Sequence, residues 1–229
     1  MSDFALQRKN MVESQIRPSD VTDRRVLRAM QTVPREAFVP EGLRDIAYMD
    51  DAVPLGGGQG KQRTGAARAL MSPRTFAKLL VLADIEATDR VLVVGAGCGY
   101  SSAVIAEIAA SVLGLECDRQ LLNGAREAIA GIASPSASKI TLTEGELASG
   151  TTDKGPFDVI VIEGSVPELP KAISDLLAPG GRCVGVRVRG GVGHATIWRR
   201  IGGHLAETDV FEAHVAELPG FAKAPAFSF

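Results

Sequence analysis

The chain has 229 residues, 45% hydrophobic and 23% charged, enough for one sizeable core or a core domain with an N-terminal appendage. Its 25 basic and 27 acidic side chains leave a net charge of −2. That balance lacks the electrostatic footprint of a nucleic-acid binder or of a protein held on an anionic membrane, and no apolar run approaches the roughly 18 residues a bilayer span needs.

In chain order, apolar residues recur at helical spacing over 6–15 and again over 22–31, separated by a break at Arg17-Pro18-Ser19-Asp20. Asp20 or Thr22 is expected to cap the second helix. Pro34 and Pro40 bracket an irregular stretch. A glycine-rich loop follows over 54–69, with Gly56, Gly57, Gly58, Gly60 and Gly65. Glycine at that density is costly to order, so the loop reads as a lid or a mobile connection. Ser72-Pro73 marks a helix start, with proline in the first turn, leading into 76–83. Strands and helices then alternate: strand 90–94, helix 101–110, strand 112–116, helix 119–133, strands 139–143 and 157–162, helix 168–177, and strand 182–188. Short, nearly continuous apolar strands between helices predict a mostly parallel sheet covered on both faces. Past this point 194–201 and 204–211 flank Gly202-Gly203, a two-residue hairpin signal. The expected architecture is therefore α/β and Rossmann-like, a mostly parallel seven-stranded sheet closed by an antiparallel hairpin.

The densest chemical signal is Val91-Leu92-Val93-Val94-Gly95-Ala96-Gly97-Cys98-Gly99-Tyr100, lying between the first core strand and its helix. Alternate glycines let the main chain turn tightly and approach a ligand without side-chain obstruction. A nicotinamide-dinucleotide fingerprint would need a further glycine where Tyr100 stands, and the Gly-Lys-Ser/Thr ending of a phosphate loop is missing. Gly-x-Gly-x-Gly suits S-adenosyl-L-methionine (SAM), which carries no phosphate and needs close contact along its methionine part. The plain alternative is a tight strand-to-helix turn. On the SAM reading Gly95, Ala96, Gly97, Cys98, Gly99 and Tyr100 are candidate cofactor contacts. Glu116 ends the second strand, where an acid accepts hydrogen bonds from both ribose hydroxyls, with Cys117 beside it. Glu146 and Leu147, after the third strand, offer an acid and an apolar wall for the adenine. Glu163 places another carboxylate at a strand end, where ligands collect in open α/β sheets. Together these stations are more specific than any one alone. Cys98, Cys117 and Cys183 are odd in number and lack CxxC spacing, which points to a reducing, cytoplasmic setting. His194, His204 and His214 meet no cluster of ligating side chains, so no metal site is expected.

At these residues the chain resembles the protein-L-isoaspartate O-methyltransferases. The likeness runs through Asn10-Met11-Val12-Glu13-Ser14-Gln15-Ile16, Val33-Pro34-Arg35-Glu36-Ala37-Phe38-Val39-Pro40, the Val94-to-Ser101 turn and Leu177-Ala178-Pro179-Gly180-Gly181-Arg182. It implies a class I SAM methyltransferase domain over 71–229, preceded over 1–70 by a helical extension and the glycine-rich lid. It further implies methyl transfer to a carboxylate of damaged aspartyl residues in protein repair. The partner would be an isoaspartyl protein or peptide, with no nucleic acid and no membrane. One segment departs from the pattern. The family reads Ile-Ser-x-Pro-His/Tyr before the first core strand, its hydroxyl lying at the reaction centre. Here the aligned residues are Leu70-Met71-Ser72-Pro73-Arg74. Met71 holds the hydroxyl position. Ser72, one residue late, either serves as the catalytic hydroxyl after a local shift or caps the following helix. Arg74 is the preferred substrate contact, and Lys61, Arg63 and Arg68 could also steer or clamp an acidic group.

A carboxylate acceptor is already ionised near neutral pH, so no general base is required. Two rivals remain open at this stage: a SAM methyltransferase for another carboxylate or small molecule, and a non-catalytic SAM-binding protein.

Overall fold

A computed structural model describes residues 3–56, 68–151 and 154–221. Gly57, Gly58, Gly60, Lys61, Arg63 and Gly65, most of the expected lid, lie outside the described residues. The chain opens on α1 (Phe4–Asn10), whose first turn is capped by Asp3. It runs on through a π-helical turn at Met11–Ile16 and a 3-10 turn at Arg17–Ser19. Helix α2 (Arg24–Thr32) buries Val26, Leu27, Ala29 and Met30. Its cap is Asp23, which accepts from the Arg25 amide, rather than Asp20 or Thr22. Asp20 instead ends the preceding turn in the left-handed conformation, φ 65°, and so cannot begin the helix.

Strand β1 (Val53–Pro54) pairs antiparallel with β2 (Ala69–Leu70), setting Leu55 beside Arg68, with the Leu55 amide donating to the Arg68 carbonyl at 3.0 Å. Helix α3 (Pro73–Ala83) follows, capped by Ser72. The sheet then builds through β3 (Arg90–Val94), α4 (Tyr100–Ala106), β4 (Ser111–Glu116), α5 (Arg119–Gly131), β5 (Ile140–Glu144), β6 (Phe157–Val166), α6 (Lys171–Ser174), β7 (Leu177–Arg189), β8 (Val192–Ile201) and β9 (His204–Glu212). Its order is β5-β4-β3-β6-β7-β8-β9. Every pairing from β5 to β7 is parallel, and β7–β8 and β8–β9 are antiparallel. This is the expected seven-stranded α/β sheet with its antiparallel closure. Gly202 and Gly203, φ 56° and 84°, make the β8–β9 turn, where two successive positive φ values are what a type I′ hairpin demands.

Side chains of β3 alternate between two apolar layers. Val91 and Val93 join the larger cluster with α2 and α3, while Leu92 and Val94 face the second, with Ile160, Ile162 and Trp198. The helix expected over 168–177 is reduced to α6. Pro170 fixes its start, and Leu177 is drawn into β7 opposite Phe157. After β9 the chain returns across the end of β6: the Ser165 amide donates to Ala216 and the Leu218 amide to Ser165, at 2.8 and 3.0 Å. Among the described residues no helix is long and apolar enough to cross a membrane.

Candidate active site

The sheet reverses its winding at β3, since β4 and β5 lie on one side of it and β6 and β7 on the other. Such a switch opens a crevice outside the carboxyl ends of the strands. The turn leaving β3 there holds Gly95, Gly97 and Gly99 at φ 81°, 54° and 86°, a backbone region that disfavours side chains. The amides of Gly95 and Ala96 both donate to the Leu115 carbonyl, at 2.9 and 3.0 Å, which ties the turn to β4. Gly99 is pressed against α5: an added Cβ would lie 3.0 Å from the Ala125 methyl. The Tyr100 ring points inward, fully buried, its centroid 5.7 Å from that of Phe38 and 5.8 Å from that of Phe76. Burial pushes the Cys98 thiol up to about 11.

Glu116 is completely buried at the end of β4. Its carboxylate accepts from the main-chain amides of Gly97, Cys117 and Asp118 at 2.7, 2.9 and 3.0 Å. Arg68 completes the set two-pronged, Nη1 to Oε1 at 2.7 Å and Nη2 to Oε2 at 2.9 Å. Its Nη2 also donates to the Gly95 carbonyl at 3.1 Å. Burial, followed by the neighbouring Glu116 charge, raises the Cys117 thiol to about 11. The Gly145 amide donates to the Glu116 carbonyl at 3.0 Å, which brings the loop bearing Glu146 and Leu147 beside Glu116. Leu147 is buried in the second apolar layer, while Glu146 is exposed and accepts from the Ser149 hydroxyl at 2.9 Å.

Glu163 sits in β6 with its Oε1 buried and lacking a hydrogen-bond partner. Burial pushes its carboxyl up to about 7, against the pull of Arg35 and Arg68. Leu218 roofs this corner. It lies 2.8 Å from the Cβ that Gly95 lacks and 2.7 Å from the one Gly164 lacks. Neither Leu218 nor the Arg68–Glu116 pair was expected as part of the site. The sequence offers Arg68 as a clamp for an acidic group of the acceptor; the acid it grips is Glu116, 48 residues away with no local pattern linking them.

The segment before α3 is arranged otherwise. The Met71 side chain is buried, and its carbonyl accepts from Arg35 Nη2 at 2.6 Å. Arg35 itself is wholly buried and also donates from Nε to the Ala47 carbonyl at 2.6 Å, with its guanidinium 4.9 Å from the Tyr100 ring centre. The Ser72 hydroxyl accepts from the Thr75 amide at 3.4 Å and donates to Thr75 Oγ1 at 3.0 Å. Arg74 is exposed and pairs with Asp50 at 2.6 Å. The structure therefore draws the glycine turn, Glu116, Leu147 and Glu163 around the crevice, while Ser72 and Arg74 are engaged at the start of α3. Among the described residues no group of His, Cys, Asp and Glu is placed to hold a metal ion.

Comparison with known proteins bears on the family and the fold. The sequence profile described as Protein-L-isoaspartate(D-aspartate) O-methyltransferase matches residues 6–195. A protein-L-isoaspartate O-methyltransferase of Roseiflexus sp. (strain RS-1) is 38% identical over 182 residues, spanning 80% of this chain and 78% of the relative. A protein-L-isoaspartate O-methyltransferase 1 of Rhodopseudomonas palustris (strain HaA2) is 37% identical over 181 residues, 79% of this chain and 69% of the relative. A crystal structure of a putative Plasmodium falciparum protein-L-isoaspartate O-methyltransferase, in complex with S-adenosyl-L-homocysteine, superposes with a TM-score of 0.77 at 22% identity. That match covers 91% of this chain and 96% of the other and speaks for the fold. The chain belongs to the protein-L-isoaspartate O-methyltransferase family.

Proposed function

We propose that the protein is a SAM-dependent carboxyl methyltransferase that acts on isoaspartyl residues of damaged proteins or peptides, as a step in their repair. The observation that carries this reading is Glu116, buried at the end of β4 and hydrogen-bonded to the Gly97 amide of the glycine-lined turn. The donor set fits the cofactor. Main chain at Gly95 and Gly97 would lie along the methionine part, Glu116 would take the ribose hydroxyls, and Leu147 with Glu146 would flank the adenine. The unpartnered oxygen of Glu163 is suited to the amino group of the methionine part. When bound, SAM supplies an electrophilic methyl on a sulfonium.

The chain's own work is then alignment and the exclusion of water. An acceptor carboxylate needs no deprotonation near neutral pH. Transfer turns a cation and an anion into two neutral products, so a dry, well-aligned site favours it. Ser72 and Arg74, both at the first turn of α3, are the proposed acceptor contacts; Ser72 would exchange Thr75 for the acceptor. The free thiols of Cys98, Cys117 and Cys183 support a cytoplasmic setting.

A second reading, another carboxylate acceptor, is favoured by the buried Met71 side chain at the position of the family hydroxyl. Transfer of labelled methyl from SAM to an isoaspartyl peptide, against its aspartyl isomer, separates the two. The expected result is slow methylation of the isoaspartyl peptide alone, accelerated several-fold in Met71→Thr, roughly one hydrogen bond's worth of free energy. Methylation of neither peptide by a protein that still binds S-adenosylhomocysteine would leave the second reading standing. Failure to bind it at all would overturn both.

A further inference from the structure

The carboxylate assigned to the ribose is already engaged by the chain itself. Glu116 accepts from three main-chain amides, those of Gly97, Cys117 and Asp118, and from both prongs of Arg68. These five N–H donors already crowd a carboxylate with about four lone-pair positions, so a pair of hydroxyls can come in only as other donors leave. The amides are fixed by the turn and by the exit of β4. The guanidinium arrives from β2's flank, on a side chain with rotatable bonds, and is the donor able to withdraw.

The same residues cover the main chain along which the methionine part of the cofactor would lie. Arg68 Nη2 is 3.5 Å from the Cβ position of Gly95 and 3.7 Å from that of Gly97, and Leu55 Cδ1 is 3.2 Å from the latter. Leu55 and Arg68 are held side by side by the β1–β2 ladder. This is no surface ion pair: the Arg68 side chain is 10% exposed and that of Glu116 0%. Burying both charges forfeits much of their hydration, so the net stability of such a pair is small compared with its Coulomb attraction. Two ribose hydroxyls would replace two N–H donors on the same oxygens, one hydrogen bond exchanged for another.

We propose that Arg68 is a built-in competitor for the nucleoside, a latch that closes the cofactor site by occupying Glu116 and covering Gly95 and Gly97. The inference rests on the assignment of SAM to this crevice. Binding then requires the Arg68–Glu116 pair to part first. The apparent affinity is lowered by the fraction of molecules in which it is parted, and association is paced by the parting itself.

S-adenosylhomocysteine is the probe, measured by calorimetry and by rapid-mixing kinetics on the full chain, on Arg68→Met and on Arg68→Lys. Arg68→Met keeps the apolar stem and removes the competing donors; it should bind about tenfold more tightly or better, as a rise in the competent fraction dictates. Arg68→Lys keeps the charge without the fork and should fall between, which preserves the test if the methionine variant does not fold. The observed rate for the unaltered protein should level off with rising ligand, and that of Arg68→Met should keep climbing. Equal or weaker binding by both variants, with no levelling in the unaltered protein, overturns the latch. If all three proteins are folded by circular dichroism and none takes up the probe, the SAM assignment itself falls.

Discussion

The glycine turn after β3 and the segment before α3 are held by different kinds of bond, and the difference separates what the backbone dictates from what side chains arrange. At the glycine turn, the proposed cofactor side, the shape is set largely by main chain: left-handed glycines at 95 and 97, amides of 95 and 96 on Leu115, and the Gly97 amide on Glu116, with Arg68 the side chain laid across it. Before α3, the proposed acceptor side, it is set by side chains gripping carbonyls or neighbours: Arg35 on Ala47 and Met71, Ser72 on Thr75, Arg74 on Asp50. Main-chain geometry of this sort constrains residue type tightly. Side-chain contacts of the second sort place weaker demands on residue type. On the proposed function, the cofactor end is accordingly the one the backbone fixes, and the acceptor end the one side chains can reshape.

The hardest blow to this contrast falls on Glu116. Glu116→Ala should weaken S-adenosylhomocysteine binding by about a hundredfold, on the order of 3 kcal/mol for two hydrogen bonds to a charged acceptor. Calorimetry reads this directly, and an unchanged constant would remove Glu116 from the cofactor side. A smaller effect follows from Glu163, whose carboxyl is raised to about 7 by burial. If its anion meets the amino group of the ligand, affinity should rise with pH through about 7 and fall by up to about tenfold per unit below it. Glu163→Gln should flatten that profile. The sign for the free protein is opposite. A raised carboxyl favours the folded state while protonated and costs stability as pH climbs through its folded value, so the melting temperature of Glu163→Gln should gain on the unaltered protein between pH 5 and 8. The smallest effect tests the acceptor side. Ser72→Ala should cost about 1 kcal/mol as a lost helix cap, about 2–4 °C in melting temperature. A cap alone leaves kcat nearly untouched, so a large fall in kcat at an unchanged KM would make Ser72 catalytic.

Local chemistry made most of the frame legible. The glycine turn, the acid ending β4, the proline-led start of α3 and the Gly202-Gly203 hairpin each rest on a few adjacent residues whose conformational demands are strong. The π-helical turn at Met11–Ile16 escaped because its residues are ordinary helix formers. The length of β7 escaped because Leu177 is a strand residue only by virtue of Phe157 across from it. The Arg68–Glu116 pair and the Leu218 roof were invisible for the same reason: each joins positions that meet only after the sheet has formed. The sequence signalled a ligand at the turn, and only the folded chain revealed which of its own side chains lie there.

Arg35 carries a last consequence. Burial works against its charge, yet a guanidinium does not release its proton in any range a protein survives. The anchor that ties Met71 to Ala47 is therefore indifferent to acidity. A pH dependence of ligand binding near neutrality should therefore trace to Glu163 and not to Arg35, and the contacts Arg35 makes should yield to heat or denaturant and not to a change of buffer.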